Sequence, residues 1–70
     1  MEVFLTFRDV DYEGSDVLGV YATEELAIQA MHDYVKGYDS DYYRWSWHET
    51  DKKYDAHSLT VRFQKFEVQE

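Results

Sequence analysis

Apolar and polar residues alternate from Val3 to Arg8. Val3, Leu5 and Phe7 fall on one side, and Phe4, Thr6 and Arg8 on the other. Period two is the signature of a strand. The next stretch, Arg8 to Asp16, carries four acids (Asp9, Asp11, Glu13, Asp16), with Gly14-Ser15 as the expected reversal. Val17 to Ala22 is apolar almost throughout and completes a hairpin. The period then changes. Leu26, Ala27, Ala30, Met31, Tyr34 and Val35 recur at i, i+3 and i+4, the stripe of an amphipathic helix. Thr23 suits its N-cap, Glu24 and Glu25 suit the positive end of its dipole, and Gly37 suits a C′ position.

Period two returns in Tyr42 to His48. Tyr43, Trp45 and Trp47 share one face, and Tyr42, Arg44, Ser46 and His48 the other. The first three are expected beneath the helix, where large rings supply the core of a small chain. Glu49 to His57 reads as a polar turn, and Ser58 to Val68 as a fourth strand with Leu59, Val61 and Phe63 inward. Phe66 and Val68 are out of phase, and a bulge near Gln64-Lys65 would return them to the core. The expected fold is α+β: a single small domain over residues 1–70, ordered β-β-α-β-β, with a four-stranded antiparallel sheet and one helix on one face. The other face would carry Phe4, Leu18 or Val20, Tyr42, Arg44, His48, Thr60 and Arg62. Antiparallel sheets tolerate a wet face, but a mixture of Phe, Tyr and Arg also characterises interfaces.

Composition narrows the classes. The chain has 70 residues and no cysteine. Disulfides and thiolate metal sites are therefore excluded, and aromatic burial or self-association must do their stabilising work. No run approaches the ~18 apolar residues of a membrane span. Glu2 stands where a signal peptide is basic, so a soluble cytoplasmic protein is expected.

The net charge of −8 is unevenly spread. Residues 1–41 hold ten acids against Arg8 and Lys36, whereas residues 42–70 hold five acids and five bases. Such a chain repels phosphate backbones and attracts basic proteins. Direct nucleic-acid binding is therefore not expected.

The side chains that carry chemistry form no recognisable catalytic set. His48 and His57 flank the second hairpin with Glu49, Asp51 and Asp55 nearby, a donor set zinc accepts, but metal-binding spacings such as HxxxH are missing. The glycines are scattered, and no serine has a clear base partner. No enzyme, metal or cofactor is expected. The candidate partner-binding residues are those of the two acidic loops: Asp9, Asp11, Tyr12, Glu13 and Asp16 in the first, Asp39, Asp41 and Tyr42 in the second. They would present aromatic anchors in a negative surface to a basic partner; ordinary solvated turns would look the same. The alternative is a structural or regulatory homodimer formed through the open sheet face.

Asp11 to Val35, with its run Leu18, Gly19, Val20, Tyr21, Ala22, Thr23 entering an acid-rich helix, resembles a small uncharacterised bacterial and phage family of ββαββ domains. The resemblance covers about a third of the chain and implies the fold. Its phage setting implies small inhibitors of host nucleic-acid machinery, including anti-CRISPR and anti-restriction proteins, that occupy the nucleic-acid site of a basic host protein.

Overall fold

The computed structural model describes residues 1–37 and 44–69. The elements are β1 (Glu2–Val10), β2 (Gly14–Tyr21), α1 (Glu24–Gly37), β3 (Ser46–His48), β4 (Lys53–Ala56) and β5 (Leu59–Glu67). The strands form one antiparallel sheet in the order β2-β1-β5-β4-β3.

The sheet is thus five-stranded, not four-stranded, and the order is β-β-α-β-β-β. The additional strand, β4, lies within the stretch expected to be a turn. Its four residues, Lys-Tyr-Asp-Ala, are too few and too polar to show a period. It is a strand because it is paired on both sides, by β3 and β5. Tertiary pairing overrides its weak local signal.

The first reversal falls at Asp11–Glu13, and Gly14 already belongs to β2. The helix starts as its sequence demands. Leu26 N–H donates to Thr23 Oγ1 at 3.2 Å, and Ala27 N–H donates to the Thr23 carbonyl. Ala27, Met31 and Val35 form its buried stripe, while Leu26 at the margin is exposed.

The faces of β1 are the reverse of those expected. Thr6, Met31 and Val61 are each at most 2 % exposed. Thr6 lies opposite Phe63 and Arg8 opposite Val61. Arg8 reaches the Tyr34 hydroxyl of the helix, and the Phe4 ring lies 6.2 Å from Phe63. Phe4, Thr6 and Arg8 therefore face the helix, and Val3, Leu5 and Phe7 face away. Both sides of this strand carry apolar residues, so hydrophobicity alone leaves its orientation undetermined. The β5 register then decides it.

β5 contains no bulge. Its pairing with β1 runs unbroken from Glu2↔Glu67 to Val10↔Leu59, which leaves Phe66 on the open face. The irregularity lies opposite, where the β1–β2 register shifts between Thr6 and Phe7. The extra residue of β2, Leu18, packs against the core.

Met31, Val35 and Val61 centre that core, with Leu18, Tyr34, Trp45, Trp47, Tyr54 and Phe63 around them. The tryptophans are therefore core material. Tyr54 binds them together: its ring is 4.8 Å from Trp47 and 6.4 Å from Trp45, and its hydroxyl hydrogen-bonds to His32 Nδ1. Burial holds the Tyr54 phenol above its ordinary pKa. Tyr43, expected beside them, lies outside the described residues. Among the described residues, no helix is long and apolar enough to cross a membrane.

Candidate functional site

The single helix covers one side of the sheet. Cross-strand partners point the same way, so the register identifies the other side. It carries Val3, Leu5, Phe7 and Asp9 from β1, Val17 and Val20 from β2, and Thr60, Arg62, Gln64 and Phe66 from β5. Val17, Val20 and Phe66 are 56 %, 60 % and 38 % exposed. Phe7 lies between Phe66, 6.3 Å away, and Arg62, whose guanidinium carbon is 4.4 Å from the ring centroid. The result is an apolar stretch with a cation–π contact at its centre.

The acidic loop at the edge of this face divides into two groups. Arg62 Nε donates to Asp9 Oδ2 at 2.6 Å, and the Ser15 hydroxyl donates to Asp9 Oδ1. Partial burial pushes the Asp9 carboxyl up. The hydrogen bonds from Arg62 and Ser15, with the charge of Arg62, outweigh that and hold it below the usual range. Asp16 accepts from Arg8 at 2.6 Å. That hydrogen bond, followed by the one to Tyr34, holds the Arg8 guanidinium above its ordinary pKa. Asp9 and Asp16 are thus each paired with an arginine of a neighbouring strand, Asp16 at the surface.

Asp11, Tyr12 and Glu13 form the exposed tip. Tyr12 has a left-handed backbone (φ 68°) and a fully exposed side chain. The tip is fixed through the backbone: Asp11 N–H donates to the Ser58 carbonyl and Glu13 N–H to the Val10 carbonyl. Neither Asp11 nor Glu13 has an ion-pair partner among the described residues. Asp39, Asp41 and Tyr42, the second half of the expected surface, lie outside the described residues.

Sequence reasoning placed Arg62 and Thr60 on the open face but missed Phe7, Val17 and Phe66. The one signal was Phe66 and Val68 falling out of phase. A bulge explained that slip away; the exposed face accounts for it directly.

At the opposite edge of the sheet is a cleft of about 370 Å³, lined by Arg44, Ser46, His48, Asp55, Ala56 and His57. His48 Nε2 lies 2.9 Å from Asp55 Oδ2, and the Thr60 hydroxyl donates to Asp55 Oδ1 at 2.9 Å. His48 and His57 do not oppose one another across a hairpin. His48 pairs with Lys53, and His57 begins the β4–β5 connection. Among the described residues, no group of three or more His, Cys, Asp or Glu could hold a metal ion.

The chain belongs to the family described as Domain of unknown function (DUF7336), whose model matches residues 1–70. The match takes in the C-terminal strands as well as the Asp11–Val35 segment. No curated protein and no solved structure matches the chain.

Proposed function

We propose that this chain is a non-catalytic protein-binding module that engages a basic partner protein. The contact surface is the open face of the sheet together with the acidic β1–β2 tip. The observation that carries the reading is the exposed apolar stretch of Val17, Val20 and Phe66 around the Phe7–Arg62 stack. Interface cores are enriched in aromatic residues and arginine. The tip adds the exposed Asp11, Tyr12 and Glu13, and the whole chain carries −8. That field speeds encounter with a cationic surface and selects for one. Nucleic-acid-binding proteins present such surfaces, which supports the finer reading of a phage-type inhibitor occluding one of them.

The test compares three proteins as bait and as competitor of nucleic-acid binding by a captured basic partner. They are the wild type, Val20→Asp on the open face, and the double variant Asp11→Asn/Glu13→Gln at the tip. The open-face variant should lose capture and competition. The tip variant should weaken both and reduce their salt dependence. If both variants capture and compete as the wild type does, the reading fails.

The same apolar face also favours a second reading, a homodimer formed through the sheet. Salt separates the two. Two copies repel one another, so self-association strengthens as salt rises, whereas binding to a basic partner weakens. Light scattering giving the monomer mass of 8.5 kDa at every concentration and salt would remove the dimer.

A further inference from the structure

The β3–β4 cleft plays no part in the reading above, because the apolar stretch occupies β2, β1 and β5 at the other edge of the sheet. Its lining runs against the character of the chain. In a protein of net charge −8, Arg44, His48, His57 and the Ser46 hydroxyl line one cleft, in which Asp55 is the single carboxylate among the described residues. Both oxygens of that carboxylate are already engaged, one by His48 and the other by Thr60.

The backbone adds a second observation. Of the four left-handed non-glycine residues among those described, Tyr12, Arg44, Lys52 and His57, two line the cleft: Arg44 (φ 51°) and His57 (φ 39°). Non-glycine residues hold such conformations at a conformational cost, and these outliers gather at functional sites. His57 is the case to weigh. It is the first residue of the two-residue connection between Ala56 and Leu59. A positive φ at that place in a tight hairpin favours Asn, Asp or Gly, and histidine adopts it more readily than most other side chains. The turn sets the His57 imidazole at the cleft.

We infer that the cleft binds a phosphoryl group carried by a small molecule. The planar fork of an arginine matches two oxygens of a phosphate. An ionised carboxylate only accepts hydrogen bonds, so Nε2 of His48 donates to Asp55. In the neutral ring Nδ1 then accepts, and in the doubly protonated ring it donates. A phosphate monoester loses its second proton near pH 6 and offers both an O–H and anionic oxygens close to neutrality. It therefore meets His48 in either state. Sulfate offers acceptors alone. The cleft, about 370 Å³ and widely open to solvent, has room for the phosphoryl group and leaves an attached organic body at its mouth.

The test is an NMR titration of the isotope-labelled chain with inorganic phosphate, and in a parallel arm with sulfate. Saturable shifts at Arg44, Ser46, His48 and His57 are expected, with a dissociation constant of roughly a millimolar for so small a probe. Sulfate should bind several-fold more weakly. His57→Gly should melt at or above the wild-type temperature, because glycine relieves the turn, yet bind phosphate about tenfold more weakly. Arg44→Gln should show the same loss and keeps the question open to test if the glycine variant fails to fold. A merely structural role for His57 predicts the opposite pair: a lower melting temperature and unchanged binding. Phosphate shifts that do not saturate, or His57→Gly and Arg44→Gln variants that both bind as wild type, overturn the site. Equal affinity for sulfate overturns its assignment to a phosphoryl group.

Discussion

Replacing Asp9 by Asn isolates the part of the acidic loop that belongs to the fold. Asp9 joins β1 to β5 through Arg62 and to β2 through Ser15. Its side chain is 31 % exposed and that of Arg62 is 34 % exposed. A hydrogen bond to a charged group contributes about 1.5–3 kcal/mol when well buried, and an exposed ion pair about 0.2–1. A pair one-third exposed, screened by solvent, belongs near the lower range, at about 1 kcal/mol. In a domain this small that corresponds to a melting temperature about 4–8 °C lower. The sign with pH follows from the lowered carboxyl. The folded pKa of Asp9 lies below its ordinary value of 3.8. Its contribution is therefore complete above that value and is lost as pH falls through the folded pKa. Thermal unfolding followed by circular dichroism at neutral pH and at a series of pH values descending below 3.8 should show a gap between wild type and variant that narrows as the acid strengthens. A gap that persists unchanged in acid would refute the ion-pair account, as would its absence at neutral pH. The tip variant Asp11→Asn/Glu13→Gln, measured alongside, should stay within about 0.5 kcal/mol of wild type at every pH.

Met31→Ala should be the most damaging single truncation on the helix, at about 2–5 kcal/mol, because Met31 is fully buried at the centre of the core; chemical denaturation measures it. Thr23→Ala removes the oxygen that caps Leu26 N–H and should cost about 1 kcal/mol, with Thr23→Ser restoring most of it. Val20→Asp should leave the melting temperature within a few degrees of wild type, since Val20 is exposed on an edge strand, while abolishing partner capture.

The parts of the fold legible in the sequence are those whose signal is local. The helix announces itself by a stripe, a cap and two acids in its first turn, and all three are present in the structure. Of the aromatic run expected as the third strand, Trp47 lies in β3 and Trp45 just before it, and both pack against the core as their shared face implies. β4 is illegible because its identity comes from its two neighbours rather than from its own residues. The orientation of β1 is illegible for a related reason. Alternation says that Val3, Leu5 and Phe7 share a face, and Phe4, Thr6 and Arg8 the other. Which face is buried depends on whether Phe63 lands opposite Thr6 or Phe7. That is a question of register with a strand more than fifty residues away, and a one-residue slip exchanges the faces.

The same register error concealed the candidate surface. With Phe7 assigned to the core, and Phe66 returned there by a bulge because it falls out of phase with Leu59, Val61 and Phe63, neither ring was expected on the open face. Once β1 is turned over, Phe7 and Phe66 meet on the outside without any bulge, and Arg62 between Phe7 and Asp9 becomes the hub of the open face. The acids then change meaning as well. Charge counting treats Asp9, Asp11, Glu13 and Asp16 as one cluster, yet two of them neutralise arginines that tie strands together. What is left for a partner at this end of the sheet is a smaller acidic tip beside a larger apolar face. The apolar face would supply most of the affinity, since burying exposed valine and phenylalanine removes apolar area from water. The tip would supply orientation and rate, which is what exposed charges do at interfaces. A partner selected on charge alone would miss that division. Loss of the tip should therefore slow association, and loss of the face should hasten dissociation.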